Sequence, residues 1–460
     1  VSAIGHASVS ITTWRQELRE TFTLAWPLVI AQLAQMALFT TDVVMMGWLG
    51  AEHLAAGTLA TSFFHPLMVF AFGVLTAISP LVAQAIGRRD FRQIRRATRQ
   101  GMWVACVLCI LLIPLLFQAR YFFEWAGQTP HSIALAMSYI HYAVWIFIPL
   151  LLFTVFRFFL ASHSDTGVIL WITLVGVAVN ALGNYTLMFG HFGFPRMELR
   201  GAGISTTIVN SVMCLLIMLY TLRHRRYRRY HLLGRFWRPD WVKFREIWRV
   251  GGPIGFMLMT EVGLFAAAAL LMGLLGTDEL AAHAIALQCA AIAFMIPMGL
   301  SQATTVRVGM AFGQQNRLAI HKAGWVSLLL GTGFMCITCL LFWLIPEQLI
   351  GLFLDPSQET NRQPFRLAIA FLGVAALFQL ADGAQVVAAA ALRGLNDTKI
   401  PMFVALIGYW GCGFPVAYYC GFVLGLGGEG VWYGLAAGLA CVAVILCTRF
   451  ALRERLVLKS

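Results

Sequence analysis

Residues 251–276 read GGPIGFMLMTEVGLFAAAALLMGLLG, an apolar run long enough to cross a bilayer as a helix, with Glu261 as its sole charge. A carboxylate in hydrocarbon is costly unless it is protonated, faces a polar cavity or holds a cation, so its presence marks a functional site. Asp42 in LFTTDVVMMG and Asp382 in FQLADGAQVV stand in the same predicament.

The rest of the chain has the same character. Its 460 residues are 60% hydrophobic and 12% charged, with a mean hydropathy of +0.77, the composition of a polytopic membrane protein. Twelve apolar segments reach spanning length, at roughly 21–48, 54–85, 99–118, 132–161, 167–190, 201–222, 250–275, 280–311, 322–345, 364–392, 399–423 and 430–449. The expected fold is an all-α integral membrane protein of twelve transmembrane helices. Pro27, Pro66, Pro149 and Pro297 are expected bends.

A net charge of +13 raises the question of nucleic acid, and the placement of the basic residues answers it. With the N-terminus cytoplasmic, 28 of the 33 Lys and Arg fall in inside segments and 5 outside, which puts both termini in the cytoplasm. RRDFRQIRR and RHRRYRRYH then read as cytoplasmic loops facing lipid headgroups, and no nucleic-acid partner is expected. No cleavable signal peptide is expected, because the first apolar run is a full span without a small-residue cleavage site before it. Cys106/Cys109 and Cys336/Cys339 each form a CxxC within an apolar helix, where they read as small packing residues without a disulfide.

The chain also repeats itself at an offset of 226. MMGWLGAEHLAA (45–56) aligns with LMGLLGTDELAA (271–282), VAQAIGRRDFRQIRRA (82–97) with VGMAFGQQNRLAIHKA (308–323), and Pro27 with Pro253. Six helices separate the copies, so both run the same way through the membrane as a parallel repeat. This predicts two pseudo-symmetric six-helix lobes, 1–222 and 250–460, joined by a basic cytoplasmic linker at 223–249. The carboxylates break the symmetry: Asp42 aligns with Ala268, and Glu261 with Gln35.

Polar residues gather around these acids. Gln35 lies two turns before Asp42, Asn180 and Asn184 are one turn apart, and Gln379, Asp382 and Gln385 step along one helix face. Arg157 and Arg393 are expected to snorkel to the cytoplasmic face, and His283 to be a satisfied helix-end histidine. No phosphate-binding, dinucleotide-binding or HExxH motif is present, so neither ATP-driven transport by this chain alone nor a soluble-type catalytic centre is expected.

These residues resemble the multidrug and toxic compound extrusion transporters, in their bacterial NorM-like branch. The resemblance runs from Trp26 to about Arg449. It rests on Thr41-Asp42 with the following LAA, TEVGLFAAAALL (260–271), AAH (281–283), RVG (307–309), DGAQVVAAAALRGLND (382–397), NYTLMFG (184–190) and GVWYGL (430–435). It implies alternating access by rocking and export of cationic amphiphiles in exchange for inward Na⁺ or H⁺, with Na⁺ favoured. It further implies a cation-coupling site of Glu261, Asp382 and Gln288, the two acids being possible Na⁺ ligands. Gln288 stands where members often carry Asn or another polar ligand near the acids. Asp42, Gln35, Asn180 and Asn184 would form the polar site of the N-lobe, for substrate or proton. The expected setting is the bacterial cytoplasmic membrane, as a monomer with no cofactor beyond the coupling ion.

The alternative on this scaffold is a flippase or exporter of a lipid-linked or peptide-like metabolite, which should carry Arg and Lys at membrane depth to meet phosphate. A membrane-embedded enzyme lacks a nucleophile or metal set here, and a channel lacks a ring of like ligands. For the orientation, a cysteine replacing Arg226 in a cysteine-free background should react with a membrane-impermeant thiol reagent only from the cytoplasmic side. Labelling of intact cells would overturn it.

Overall fold

The computed structural model describes residues 13–234, 237–355 and 358–456. Arg235 and Lys459, two of the basic residues counted on the inside, lie outside them. Among the described residues there is no strand, and twelve helices are long and apolar enough to cross a membrane. They are α1 (Trp14–Leu49), α2 (Glu52–Gly87), α3 (Phe91–Phe117), α4 (Pro130–Ser162), α5 (Thr166–Phe189), α6 (Glu198–Arg223), α7 (Trp241–Leu275), α8 (Thr277–Gly313), α9 (Arg317–Leu344), α10 (Arg362–Gly394), α11 (Lys399–Val423) and α12 (Gly427–Ala451).

Each helix takes in one expected segment to within a residue, and several outrun it. α7 begins nine residues before its apolar run, because VKFREIWRV continues the helix with polar residues that hydrocarbon would not accept. Proline behaves in two ways. α1 and α8 run through Pro27 and Pro297, and α2 runs through Pro66 and breaks about three turns beyond it, at Ala77. α4 is interrupted by a 3-10 turn at Val144–Ile146, and Pro149 falls in the first turn of the helix that follows, where a missing N–H costs nothing.

The sequence repeat extends to the backbone. Asp90 caps α3 by accepting from the amides of Arg92 (3.0 Å) and Gln93 (3.1 Å), and Asn316, its repeat partner, caps α9 by accepting from Ala319 (3.0 Å). The residues before these caps, Arg89 and Gln315, are both left-handed, with φ of 58° and 57°. Farther on the offset grows: Ser164 and Asn396, each followed by Asp-Thr, adopt φ of 61° and 62°.

The chain packs as two compact units, Ile30–Gly255 and a second made of the chain up to Val29 together with Phe256 onward. The division falls inside α1 and α7, whereas the linker was expected at 223–249. The reason is a pair of close backbone approaches. In the first unit, a Cβ on Gly73 of α2 would strike the backbone of Gly255 on α7, and one on Gly251 would strike the carbonyl of Val74. In the second unit, a Cβ on Gly299 of α8 would lie 2.6 Å from Cα of Val29 on α1. Gly73 and Gly299 are repeat partners, as are Gly255 and Val29. Each unit therefore takes in the first half of the other repeat's leading helix.

Within Ile30–Gly255, α6 packs on α4 and α5, and α2 lies against α4. In the other unit α10 is central, against α8, α9 and α12. The basic segment after α6 is pinned rather than loose. Asp165 accepts from the hydroxyls of Tyr220 and Tyr227, both at 2.8 Å, and Arg96 bonds Asp240, holding that carboxyl below the usual range. Burial pushes the His163 imidazole down to about 4, so at neutral pH it is uncharged. Its Nδ1–H donates to the carbonyl of Phe159 (2.8 Å), and its Nε2 accepts from the Tyr230 hydroxyl (3.0 Å). In the second unit Glu17 receives a two-pronged bond from Arg307 at 3.0 and 2.8 Å, with side chains 1% and 8% exposed.

Gly73→Ala should destabilise the detergent-solubilised protein by about 1–3 kcal/mol, the usual cost of overpacking, because backbone faces the new methyl. Gly252→Ala, whose Cβ would meet nothing within 4 Å, should be neutral or stabilising. Thermal unfolding of the two variants checks this, and equal midpoints would remove the close approach as the reason for the division.

Candidate functional site

Each unit contains one carboxylate set in amides. In the unit Ile30–Gly255, α1 projects Asp42 toward α5, where Asn180 and Asn184 sit one turn apart on the same face. Both donate to its Oδ1, at 2.8 and 2.6 Å, and the Thr206 hydroxyl of α6 lies 3.4 Å from its Oδ2. The two asparagines are buried, and their Oδ1 atoms have no hydrogen-bond partner among the described residues, so two further acceptor oxygens stand beside the acid. Asp42 itself is half-buried and lines a cavity of about 290 Å³. Gln35, Thr61, His65, Tyr139 and Asn210 add polar atoms to a wall that is otherwise largely Leu, Ile, Val, Phe and Met.

Gln35 is held from behind. Arg157 of α4 donates to its Oε1 at 2.8 Å and to Oε1 of Gln32 at 2.5 Å. The arginine is 1% exposed, which corrects the expectation that it snorkels. Its helix carries it among the buried Phe156, Phe158 and Phe159, and its fork meets the amides of Gln35 and Gln32 on α1.

In the other unit Gln385 of α10 joins the two acids. Its Nε2 donates to Glu261 Oε1 of α7 at 3.1 Å and to Asp382 Oδ1 at 3.2 Å, and its Oε1 accepts from the hydroxyl of Tyr409. Asp382, Gln385 and Tyr409 are buried, and Glu261 is half-buried. Tyr409 reaches this spot from a π-helical stretch of α11, Ile407–Gly413, whose extra residue per turn re-aims the side chain. Next to it Trp410 donates to the carbonyl of Thr260 (3.2 Å), fixing the α7 backbone beside Glu261.

The structure thus brings together Glu261 with Asp382, and Asp42 with Asn180 and Asn184. Gln288 is half-buried on α8 and has no hydrogen bond to either acid; Gln385 holds the bridging place. His283 is buried, and neither ring nitrogen has a hydrogen-bond partner among the described residues, so it is not the satisfied histidine expected. Tyr409 and Thr206 were not singled out in the sequence. Neither is an isolated charge, and nothing in GYWGCG announces a π turn. Among the described residues no cluster of three His, Cys, Asp or Glu is placed to hold a metal ion, so any cation here would rely on amide and hydroxyl oxygens as well.

Twelve apolar helices, an internal repeat and buried acids bedded on amides define a multi-pass membrane protein built from two related halves. The MatE family model matches residues 27–186 and 253–419, and the chain belongs to that family. The two matched stretches begin 226 residues apart, the offset of the repeat. The chain is 45% identical to the probable multidrug resistance protein NorM of Brucella suis biovar 1 (strain 1330), over 95% of this chain and 93% of that protein. It is 40% identical to the protein of the same name from Pseudomonas aeruginosa, over 94% and 89%. The fold is that of MATE transporters. The eukaryotic MATE transporter AtDTX14 superimposes with a TM-score of 0.86 at 20% identity, over 95% of this chain and 96% of that one. An outward-facing multidrug resistance MATE transporter does so at 0.85 with 20% identity, over the same shares.

Gln385→Leu removes the N–H donors from the buried Asp382 and the half-buried Glu261 and should cost about 2–4 kcal/mol of stability, whereas Gln288→Leu should stay within about 1 kcal/mol. Thermal unfolding at one pH compares them, and a larger loss in the Gln288 variant would overturn the assignment of the bridge.

Proposed function

We propose that this chain exports cationic amphiphilic compounds across a bacterial cytoplasmic membrane in exchange for inward Na⁺ or H⁺. The observation that carries the reading is Asp42, a carboxylate steadied by amides in the wall of a cavity lined mainly by aliphatic, aromatic and thioether side chains. Such a wall takes an apolar body without demanding one shape, and the acid takes its ammonium. No Lys or Arg is among the described lining residues, which weighs against a phosphate-bearing, lipid-linked substrate. The names of the relatives, multidrug resistance proteins, point the same way.

Glu261 and Asp382 are the coupling acids of this proposal. The Gln385 amide hydrogens lie between them as a cation would, and a Na⁺ or a proton competes for the same lone pairs. Na⁺ is the favoured ion. Exchange follows if the ion and the drug occupy the protein in alternation, the two units rocking between inward and outward access. In this reading both termini are cytoplasmic and the protein works as a monomer without a cofactor.

Purified protein in liposomes, loaded with a cationic dye and given a Na⁺ gradient or a pH gradient singly, tests the proposal. Dye movement should follow the Na⁺ gradient. Asp42→Asn should weaken dye binding by about 10-fold or more, the worth of one charged contact. Glu261→Gln should bind dye and no longer respond to the gradient. No movement under either gradient, or a Glu261→Gln variant still driven by Na⁺, would sink it.

A further inference from the structure

At the end of the Ile30–Gly255 unit that is cytoplasmic in the orientation above, basic residues are fixed in place. Topology requires only that they lie on that side, and a loose loop would serve. Here the linker after α6 is sewn to the turn between α4 and α5. Asp165 accepts from Tyr220 and Tyr227, the Tyr230 hydroxyl bonds His163, and Arg226 donates to the carbonyl of His163 at 3.3 Å. The linker is also sewn to α3. Arg99 donates to the carbonyls of His231 (2.6 Å) and Leu232 (2.8 Å), and the ring of Phe91 lies 5.9 Å from that of Tyr230. The guanidinium of Arg229 covers both rings, 5.2 Å from Phe91 and 5.5 Å from Tyr230.

The result is a rigid surface of one sign. Arg88, Arg92, Arg225 and Arg228 are exposed, and none has an ion pair among the described residues. The acids of this face are engaged: Asp90 caps α3, Asp165 holds two tyrosines, Asp240 bonds Arg96 and Glu246 bonds Lys243. Phe91, Trp237 and Trp241 expose their rings, and aromatic rings settle at the level of lipid headgroups. The fold itself does not call for this surface, because Arg88 and Arg92 align with Gln314 and Leu318 in the second half of the repeat.

We propose that this face is a binding site for anionic phospholipid, its phosphodiester held by Arg88, Arg92, Arg225, Arg228 and Arg229 and its glycerol set against Phe91. A guanidinium fork matches phosphate oxygens. A zwitterionic lipid presents the same phosphate but adds an ammonium that the arginines repel, so the site prefers phosphatidylglycerol to phosphatidylcholine. The exposed rings favour lipid over an acidic protein segment. None of the residues of the export reading takes part.

Native mass spectrometry of the purified full-length protein, offered equal amounts of the two lipids with the same acyl chains, tests it through the first lipid bound. Phosphatidylglycerol should be taken up about 10-fold more than phosphatidylcholine, since each nearby arginine favours the anionic headgroup. The variant Arg88→Gln/Arg92→Leu/Arg225→Gln/Arg228→Gln, which gives the first two positions the residues of the other half, should bring the two lipids within about twofold. Arg15→Gln/Arg19→Gln/Arg317→Gln/Lys399→Gln removes as much exposed charge from the other unit and should keep the preference. Asp165→Ala separates placement from charge. It makes the protein more basic but frees Tyr220 and Tyr227, and it should lower the preference about threefold or more. Hexaglutamate in excess should leave the lipid bound. Equal uptake of the two lipids by the wild type, equal loss in the control variant, a rise in Asp165→Ala, or displacement by hexaglutamate each overturns the proposal and leaves the export reading standing.

Discussion

Hydrocarbon gives two apolar helices little reason to associate, so in a membrane close backbone packing has to supply what the hydrophobic effect supplies in water. In this protein the decisive instances are Gly73 on Gly255 and Gly299 on Val29. They seat the first half of α7 in the unit Ile30–Gly255, and the first half of α1 in the other. Everything that follows along α1 and α7 is positioned from those beds. Asp42 is displayed by the part of α1 beyond Val29, and Glu261 by the part of α7 beyond Gly255. The acids project from the stretches just after the leading helices change units.

The second constraint is polar. A carboxylate away from water needs donors, and both sites draw them from amides rather than from arginine or lysine. An amide compensates an acid without neutralising it, so the acid keeps its appetite for a cation. A guanidinium would satisfy it permanently. The structural ion pairs differ in this respect. Glu17 with Arg307 is a two-pronged, nearly closed contact, and such a pair holds helices in place but exchanges nothing.

Much of the fold is legible in the amino-acid sequence because its signals are local. Spans are read from runs of apolar residues, and caps such as Asp90 and Asn316 from single polar residues at repeat-related turns. Asp42, Glu261 and Asp382 stand out because an acid is rare in such company, and Asn180 with Asn184 because they share a face. What escapes is set by contacts distant along the chain. The unit boundary inside α1 and α7 depends on backbone approaches between helices far apart in sequence, although the glycines at 251, 252 and 255 and the coincident prolines were its trace. Arg157 sits in FTVFRFFL, which looks the same whether its helix lies at a surface or at the centre of a unit. Gln385 was visible on the face of Asp382, but that it reaches Glu261, and that Tyr409 orients it, follows from helix packing and a π turn.

The traded half-helices also impose an order on synthesis. The N-terminal half of α1 leaves the ribosome first, but the glycine it rests on, Gly299, is made 270 residues after Val29. At a synthesis rate of roughly 5–20 residues per second, that is a delay of about 15–50 s. During that time the leading half-helix is in the membrane without its neighbour. Its length and apolarity must hold it there unaided, while Glu17 waits for an arginine that the chain has yet to reach.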